Sequence, residues 1–191
     1  MTVKIVVFAG SARKDSLNKK LARVAAESVR AAGATATFVD LADYPIPLYD
    51  GDLEARDGLP VNARKLKDLF IAHQGLLIVS PENNASISSL LKNTLDWISR
   101  QDGKESGLVP YQGKVAAIAG ASPGALGGLR GLTHLRAILQ NLRVLVLSEQ
   151  FALDHADAAF DADGKLKDAK HLSAISALAK RLVDVSAKLA S

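Results

Sequence analysis

Val3-Lys4-Ile5-Val6-Val7-Phe8-Ala9-Gly10-Ser11-Ala12-Arg13-Lys14-Asp15-Ser16-Leu17-Asn18 decides how the rest of the chain is read. Up to Ala9 it is an apolar run rich in β-branched side chains. Glycine, two serines, arginine and asparagine come next, and a helical pattern follows. That order is strand, polar turn, helix. In such a unit the turn lies beyond the carboxyl end of the strand, where open α/β sheets take their ligands. The following helix turns unpaired N–H groups and the positive end of its dipole toward the turn, which favours an anion there. Ser11, Ser16 and Asn18 add side-chain donors, and Arg13 adds a fixed positive charge. Together they form a candidate phosphate cradle. The stretch contains neither Gly-x-Gly-x-x-Gly nor Gly-Lys-Ser/Thr, so the dinucleotide fingerprint and the nucleoside-triphosphate loop are both absent. A plainer reading stands beside the cradle: Asp15 or Ser16 caps the helix and Arg13 is a solvated charge.

Outward from this stretch the chain alternates. Leu17, Leu21, Val24, Ala25 and Val29 recur at helical spacing and predict an amphipathic helix over 16–32, closed by Gly33. Residues 35–39 read as a short, more polar strand nearer the sheet edge. Residues 40–59 read as an irregular acidic loop with Pro45, Pro47, Gly51 and Gly58. In it Tyr44 and Tyr49 either anchor the loop on the sheet or border a substrate site or subunit contact. A helix is predicted over 61–73, where His73 suits the negative end of the dipole. Residues 75–79 are a buried strand, broken by the polar turn Ser80-Pro81-Glu82-Asn83-Asn84, with a helix over 86–100. Residues 114–119 are a strand of small side chains. The run from Gly120 to Gly128 follows, and its small residues point to backbone lying against a flat or bulky ligand. A helix over 129–142, a strand over 144–147, a long connection and a helix over 168–189 complete the chain.

Five strands alternating with helices argue for an α/β sandwich with a parallel sheet. Right-handed crossovers leave few topologies; the expected one, strand order 2-1-3-4-5, would bring the turns after strands 1, 3 and 4 to one edge. The length of 191 residues suits a single domain over 1–191. With no cysteine there are no disulfides, thiolate metal sites or cysteine nucleophiles, and no metal site is expected. No apolar run reaches the length of a membrane span, and the first residues lack a signal-peptide layout, so no membrane association and a cytoplasmic location are expected. The net charge of +4 is scattered, which argues against nucleic-acid binding and favours anionic small molecules.

Three motifs carry a family resemblance: Gly10-Ser11-x-Arg13-x-x-Ser16-x-Asn18; Pro81-Glu82-x-Asn84-x-Ser86 with Leu91-Lys92-Asn93-x-x-Asp96-Trp97; and Gly120-x-Ser122-x-Gly124-x-x-Gly127-Gly128-x-Arg130. From residue 3 to about 147 the chain resembles the NADPH-dependent FMN reductase family, which includes bacterial quinone and chromate reductases and some azoreductases. The resemblance implies a flavodoxin-like three-layer fold with a five-stranded parallel sheet. It also implies FMN as cofactor and NADPH or NADH as co-substrate. By the same resemblance, Ser11, Arg13, Ser16, Leu17 and Asn18 hold the FMN phosphate end. Pro81, Glu82, Asn83 and Asn84 line the ring edge, and Ser122 and Gly124 pack on the pyrimidine side. The flavin N5 is the redox centre, so no catalytic acid, base or nucleophile is expected from the protein. Hydride passes from reduced nicotinamide to the flavin, and electrons then pass to small-molecule acceptors such as quinones, free flavin or chromate in ping-pong order. A homodimer or homotetramer is implied, with Arg130 a candidate interface residue. Trp97 reads as a core or subunit-contact residue, and Lys92, Asn93 and Asp96 as helix-surface residues. The chain departs from the family at Asn83, where an aromatic residue is usual. Two other functions compete: a flavodoxin-like electron carrier, disfavoured by the positive charge, and a flavin-poor binding module, favoured only by Asn83.

Overall fold

The computed structural model describes residues 2–190. In chain order the strands are β1 (Lys4–Ala9), β2 (Thr35–Val39), β3 (Gly75–Val79), β4 (Glu82–Asn83), β5 (Ser86–Ile87), β6 (Val115–Ala121) and β7 (Leu145–Leu153). The helices are α1 (Leu17–Ala31), α2 (Gly51–Asp57), α3 (Val61–Ile71), α4 (Ser89–Ile98), α5 (Leu129–Asn141) and α6 (Ala169–Leu189). The main sheet runs β2-β1-β3-β6-β7 with every neighbouring pair parallel, while β4 and β5 form a separate hairpin. Setting the hairpin aside, this is the flavodoxin-like order 2-1-3-4-5.

Alternation along β1 builds two core layers. Ile5 and Val7 pack with Leu21, Ala25 and Val29 of α1 and Ile175 and Leu182 of α6. Val6 and Phe8 pack on the other face with Leu66 and Phe70 of α3, Leu91 and Leu95 of α4, and Leu132 and Leu135 of α5. Each such fully buried side chain contributes about 1.5–3 kcal/mol, so β1 stabilises both helical layers at once. Among the described residues no helix is long and apolar enough to cross a membrane.

The structure departs from the sequence reading in three places. The fifth strand of the sheet does not stop at 147. β7 continues through Ser148-Glu149-Gln150, pairs Val146 with Ala116, then slips so that Gln150 pairs with Ile118. Arg136 of α5 holds this bulge by donating to Leu147 O at 2.6 Å and Gln150 Oε1 at 3.1 Å. A polar interruption of this kind reads as a loop when its partner is not in view. Residues 40–59 are not wholly irregular. A 3-10 turn (Leu41–Asp43) and α2 lie within them, and Asp50 caps α2 through the N–H groups of Asp52 and Leu53. α2 buries no residue, so it leaves no apolar period to detect. Finally, α4 begins at Ser89, because Ser86 and Ile87 pair with Asn83 and Glu82 in the hairpin.

Candidate functional site

Because the sheet is parallel, the turns after β1, β3 and β6 leave from one rim. They enclose a groove of about 230 Å³ lined by Arg13, Ser16, Leu17 and Asn18 from the first turn, Glu82 from the second, and Ala121, Ser122 and Pro123 from the third. Ser11, Pro81, Asn83, Asn84 and Gly124 do not line this groove; Asn83, Asn84 and Gly124 are exposed.

The first turn is held from several directions. Ser16 is the N-cap of α1, and its hydroxyl accepts from Lys19 N at 3.3 Å, leaving its proton to donate elsewhere. The Ser11 hydroxyl likewise accepts from Arg13 N at 3.3 Å. The helix begins at Leu17, and the N–H groups of Leu17 and Asn18 have no intrahelical acceptor. The Arg13 guanidinium is exposed and meets no acceptor among the described residues. Asn18 departs from simple ligand chemistry. Its Nδ2 donates to Ala121 O and its Oδ1 accepts from Ala121 N, both at 2.9 Å, so the amide laces α1 to the end of β6. One N–H of that amide remains unspent. Ser88, the N-cap of α4, donates to Gly10 O at 2.6 Å and joins α4 to the same turn.

The second turn is the hairpin. Asn84 (φ 49°) and Ala85 (φ 63°) both lie in the left-handed region, as a two-residue type I′ connection requires. The Glu82 side chain turns toward α5. Its Oε1 accepts from Arg130 Nη2 at 2.7 Å and its Oε2 from Gly131 N at 3.0 Å. α5 has Gly128 at its N-cap and no cap of its own from a side chain, so Glu82 supplies one. Burial opposes the charge on Glu82, but the Gly131 N–H and the Arg130 guanidinium outweigh it and hold the carboxyl below its usual range. Ser86 Oγ lies 2.9 Å from His134 Nδ1, so both hairpin strands are tied to α5.

The third turn separates a glycine that the backbone requires from one that it does not. A Cβ on Gly127 (φ 59°) would lie 2.7 Å from Ala152 C, so this glycine answers to the backbone of β7 rather than to a ligand. At Gly124 a Cβ would meet only Ser122 Oγ at 3.7 Å, and here the space is open.

Several residues find other roles. Tyr49 packs edge-on against Trp97 of α4 with ring centroids 5.1 Å apart, so its anchor is a helix and not the sheet. Asn93 donates to Pro47 O and accepts from Tyr49 N, while Trp97 Nε1 donates to Pro47 O at 2.8 Å. Asn93 and Trp97, one helical turn apart, therefore clamp residues 47–49. Lys92 and Asp96 form an exposed i,i+4 pair. His73 is buried, with Nδ1 on Leu69 O and Nε2 on Thr37 Oγ1 at 2.7 Å. Lys19 escapes a sequence reading altogether. Beside Lys20 it looks like a solvated charge, yet it is 3% exposed and pairs with Asp40 across 21 residues of chain.

The groove thus joins the Ser16 hydroxyl, the Arg13 guanidinium and a helix N-terminus on one side to Glu82, Ala121, Ser122 and Pro123 on the other. That donor set fits a phosphate monoester attached to a larger polar body. The model of the NADPH-dependent FMN reductase family matches residues 3–158. The chain is 36% identical over 167 residues to the 2-hydroxy-1,4-benzoquinone reductase of a Burkholderia species, covering 87% of this chain and 86% of that one. It is 36% identical over 170 residues to an NAD(P)H-dependent FMN reductase of Pseudomonas aeruginosa, covering 88% and 86%. Among solved structures it resembles FerB, a flavoenzyme NAD(P)H:acceptor oxidoreductase from Paracoccus denitrificans, with a TM-score of 0.82, 30% identity and 98% of each chain covered. The protein with this groove belongs to the NADPH-dependent FMN reductase family and is an oxidoreductase.

Proposed function

We propose that the chain is an NAD(P)H-dependent quinone reductase that holds FMN at the carboxyl rim of its sheet. The observation that carries this reading is the meeting of all three turns in one groove whose first turn keeps its hydroxyl protons and guanidinium unspent. FMN, when bound, supplies the ring that accepts and passes on hydride. The Arg13 guanidinium, the Ser11 and Ser16 hydroxyls and the N–H groups opening α1 bind its phosphate; Leu17 and the remaining Asn18 N–H border it. Pro81 to Asn84 lie along the ring edge and offer backbone groups, with Glu82 fixing the hairpin through Arg130 and Gly131. Ser122 and Gly124 lie on the pyrimidine side. No side chain of the site needs to act as acid, base or nucleophile.

Reduced nicotinamide and acceptor use the same open side in turn, which gives ping-pong order. Quinones are the leading acceptors, with free flavin and chromate as further ones. The curated relatives named quinone reductase and FMN reductase support this choice. A homodimer or homotetramer in the cytoplasm completes the reading, supported by exposed Leu126 and Leu129 beside the third turn and by the cysteine-free sequence. The test is an FMN titration of the purified protein followed by NADPH and NADH oxidation with 1,4-benzoquinone, varying both substrates. Parallel double-reciprocal lines are expected. Bound flavin without nicotinamide oxidation would make the protein an electron carrier, and no flavin binding would overturn the proposal.

A further inference from the structure

Behind the first turn sits a charge that the groove never exposes. The Lys19 side chain is 4% exposed, and its Nζ donates to Ala12 O at 3.2 Å and pairs with Asp40 at 2.7 Å. Asp40 follows β2, and its other work is local: its Oδ1 accepts from Ala42 N at 3.0 Å. Burial disfavours the Asp40 charge, but the Lys19 ammonium and the Ala42 N–H more than compensate and hold its carboxyl below the usual range. The Ala12 carbonyl is thus drawn inward, away from solvent, by a buried ammonium fixed from the neighbouring strand. A peptide plane whose C=O is held inward turns the N–H that follows it the opposite way. Ala12 precedes Arg13, so the tether sets the backbone from which the unpaired guanidinium projects.

We infer that Lys19, anchored by Asp40, is a positioning residue that sets the phosphate turn for FMN without touching the ligand. The inference rests on the FMN reading above. The Lys19–Asp40 pair is close to neutral as a unit, so its action is geometric and not a long-range field.

The test compares dissociation constants for FMN and riboflavin, by quenching of flavin fluorescence, in the wild-type protein and in Lys19→Met, Lys19→Arg and Asp40→Asn. Wild type must first bind FMN more tightly than riboflavin; if it does not, the FMN reading itself fails. Given that preference, Lys19→Met is expected to weaken FMN about tenfold or more while riboflavin changes less than about threefold. Lys19→Arg, which keeps a cation able to reach both partners, is expected to restore much of the loss. Asp40→Asn separates geometry from field. Removing a negative charge near a phosphate would tighten FMN if charge alone mattered, whereas a loosened tether weakens it about threefold with riboflavin unchanged. Unchanged FMN affinity in Lys19→Met, equal loss of FMN and riboflavin, or tighter FMN in Asp40→Asn would overturn the inference. If Lys19→Met does not fold, the Asp40→Asn result decides alone.

Discussion

The two rims of the sheet carry similar polar residues and use them in opposite ways. At the amino rim Lys4 N donates to Gln74 Oε1 and Gln74 N to Lys4 O. Close by, His73 lies between Thr37 and Leu69, and the Lys114 ammonium bonds to His73 O. These bonds begin and end inside the protein. At the carboxyl rim Ser11, Ser16 and Arg13 keep donors with no acceptor among the described residues, while Asn18, Lys19, Ser88 and Glu82 hold the backbone in place. The amino rim pairs its Gln74, His73 and Lys114 groups internally, although Ser186 Oγ, buried beside Gly75, has no partner among the described residues. The other divides the labour, so that one set of side chains fixes the loops and a second set stays unspent. An exposed donor is satisfied by water, so the Arg13 guanidinium of the carboxyl rim is open to a ligand without loss of an internal bond.

The largest effect expected from this contrast is at Arg13. Arg13→Ala should weaken FMN about 10- to 100-fold, the range of a charge-assisted contact to a phosphate, while riboflavin binding changes little. Flavin titration checks it, and equal weakening of both ligands would erase the distinction between free and holding side chains. Asn18→Ala tests the holding set. It removes two bonds to Ala121 and should cost about 2 kcal/mol in denaturant unfolding, with a smaller loss of FMN affinity than Arg13→Ala.

The amino rim should answer to pH instead. Burial pushes the Lys114 ammonium down to about 8 from an ordinary 10.5. Between those values the unfolded chain holds the extra proton, so stability rises with pH across that window. The rise should amount to about 1–2 kcal/mol and vanish in Lys114→Met, as followed by urea unfolding at pH 8 and pH 10. His73 works in the acid direction. Burial lowers it from 6.5 against the Leu69 carbonyl, so the stability of the neutral ring is lost as pH falls below 6.5. FMN affinity should be indifferent to either group.

The smallest effect is at the hairpin. Ala85 sits at φ 63°, so Ala85→Gly should raise stability by about 0.5–1 kcal/mol in thermal unfolding. A larger gain would mean that the hairpin tip stores more strain than the bonds of Glu82 and Ser86 to α5 require.

β1, β3 and β6 were legible because they are apolar runs closed by glycine, serine and proline. β1 and β3 show no alternation, as strands buried on both faces should not. The motif residues on the first and third turns were legible too, since strand-turn-helix order places them without tertiary knowledge. The hairpin was not. Its strands are two residues each, below the length at which a period can be seen.

By itself the sequence determined the alternation of strands and helices, and the handedness of crossovers narrowed the topology to a few, of which the family resemblance singled out the order that brings three turns to one rim. Only the tertiary structure decided which polar side chains on that rim are spent. Glu82 turned to α5, Asn18 to β6 and Lys19 to Asp40, while Arg13 met no acceptor among the described residues. The physical reason is separation along the chain. Local spacing encodes a helix face or a strand, but a hydrogen bond across 49 or 103 residues leaves no periodic trace in either partner.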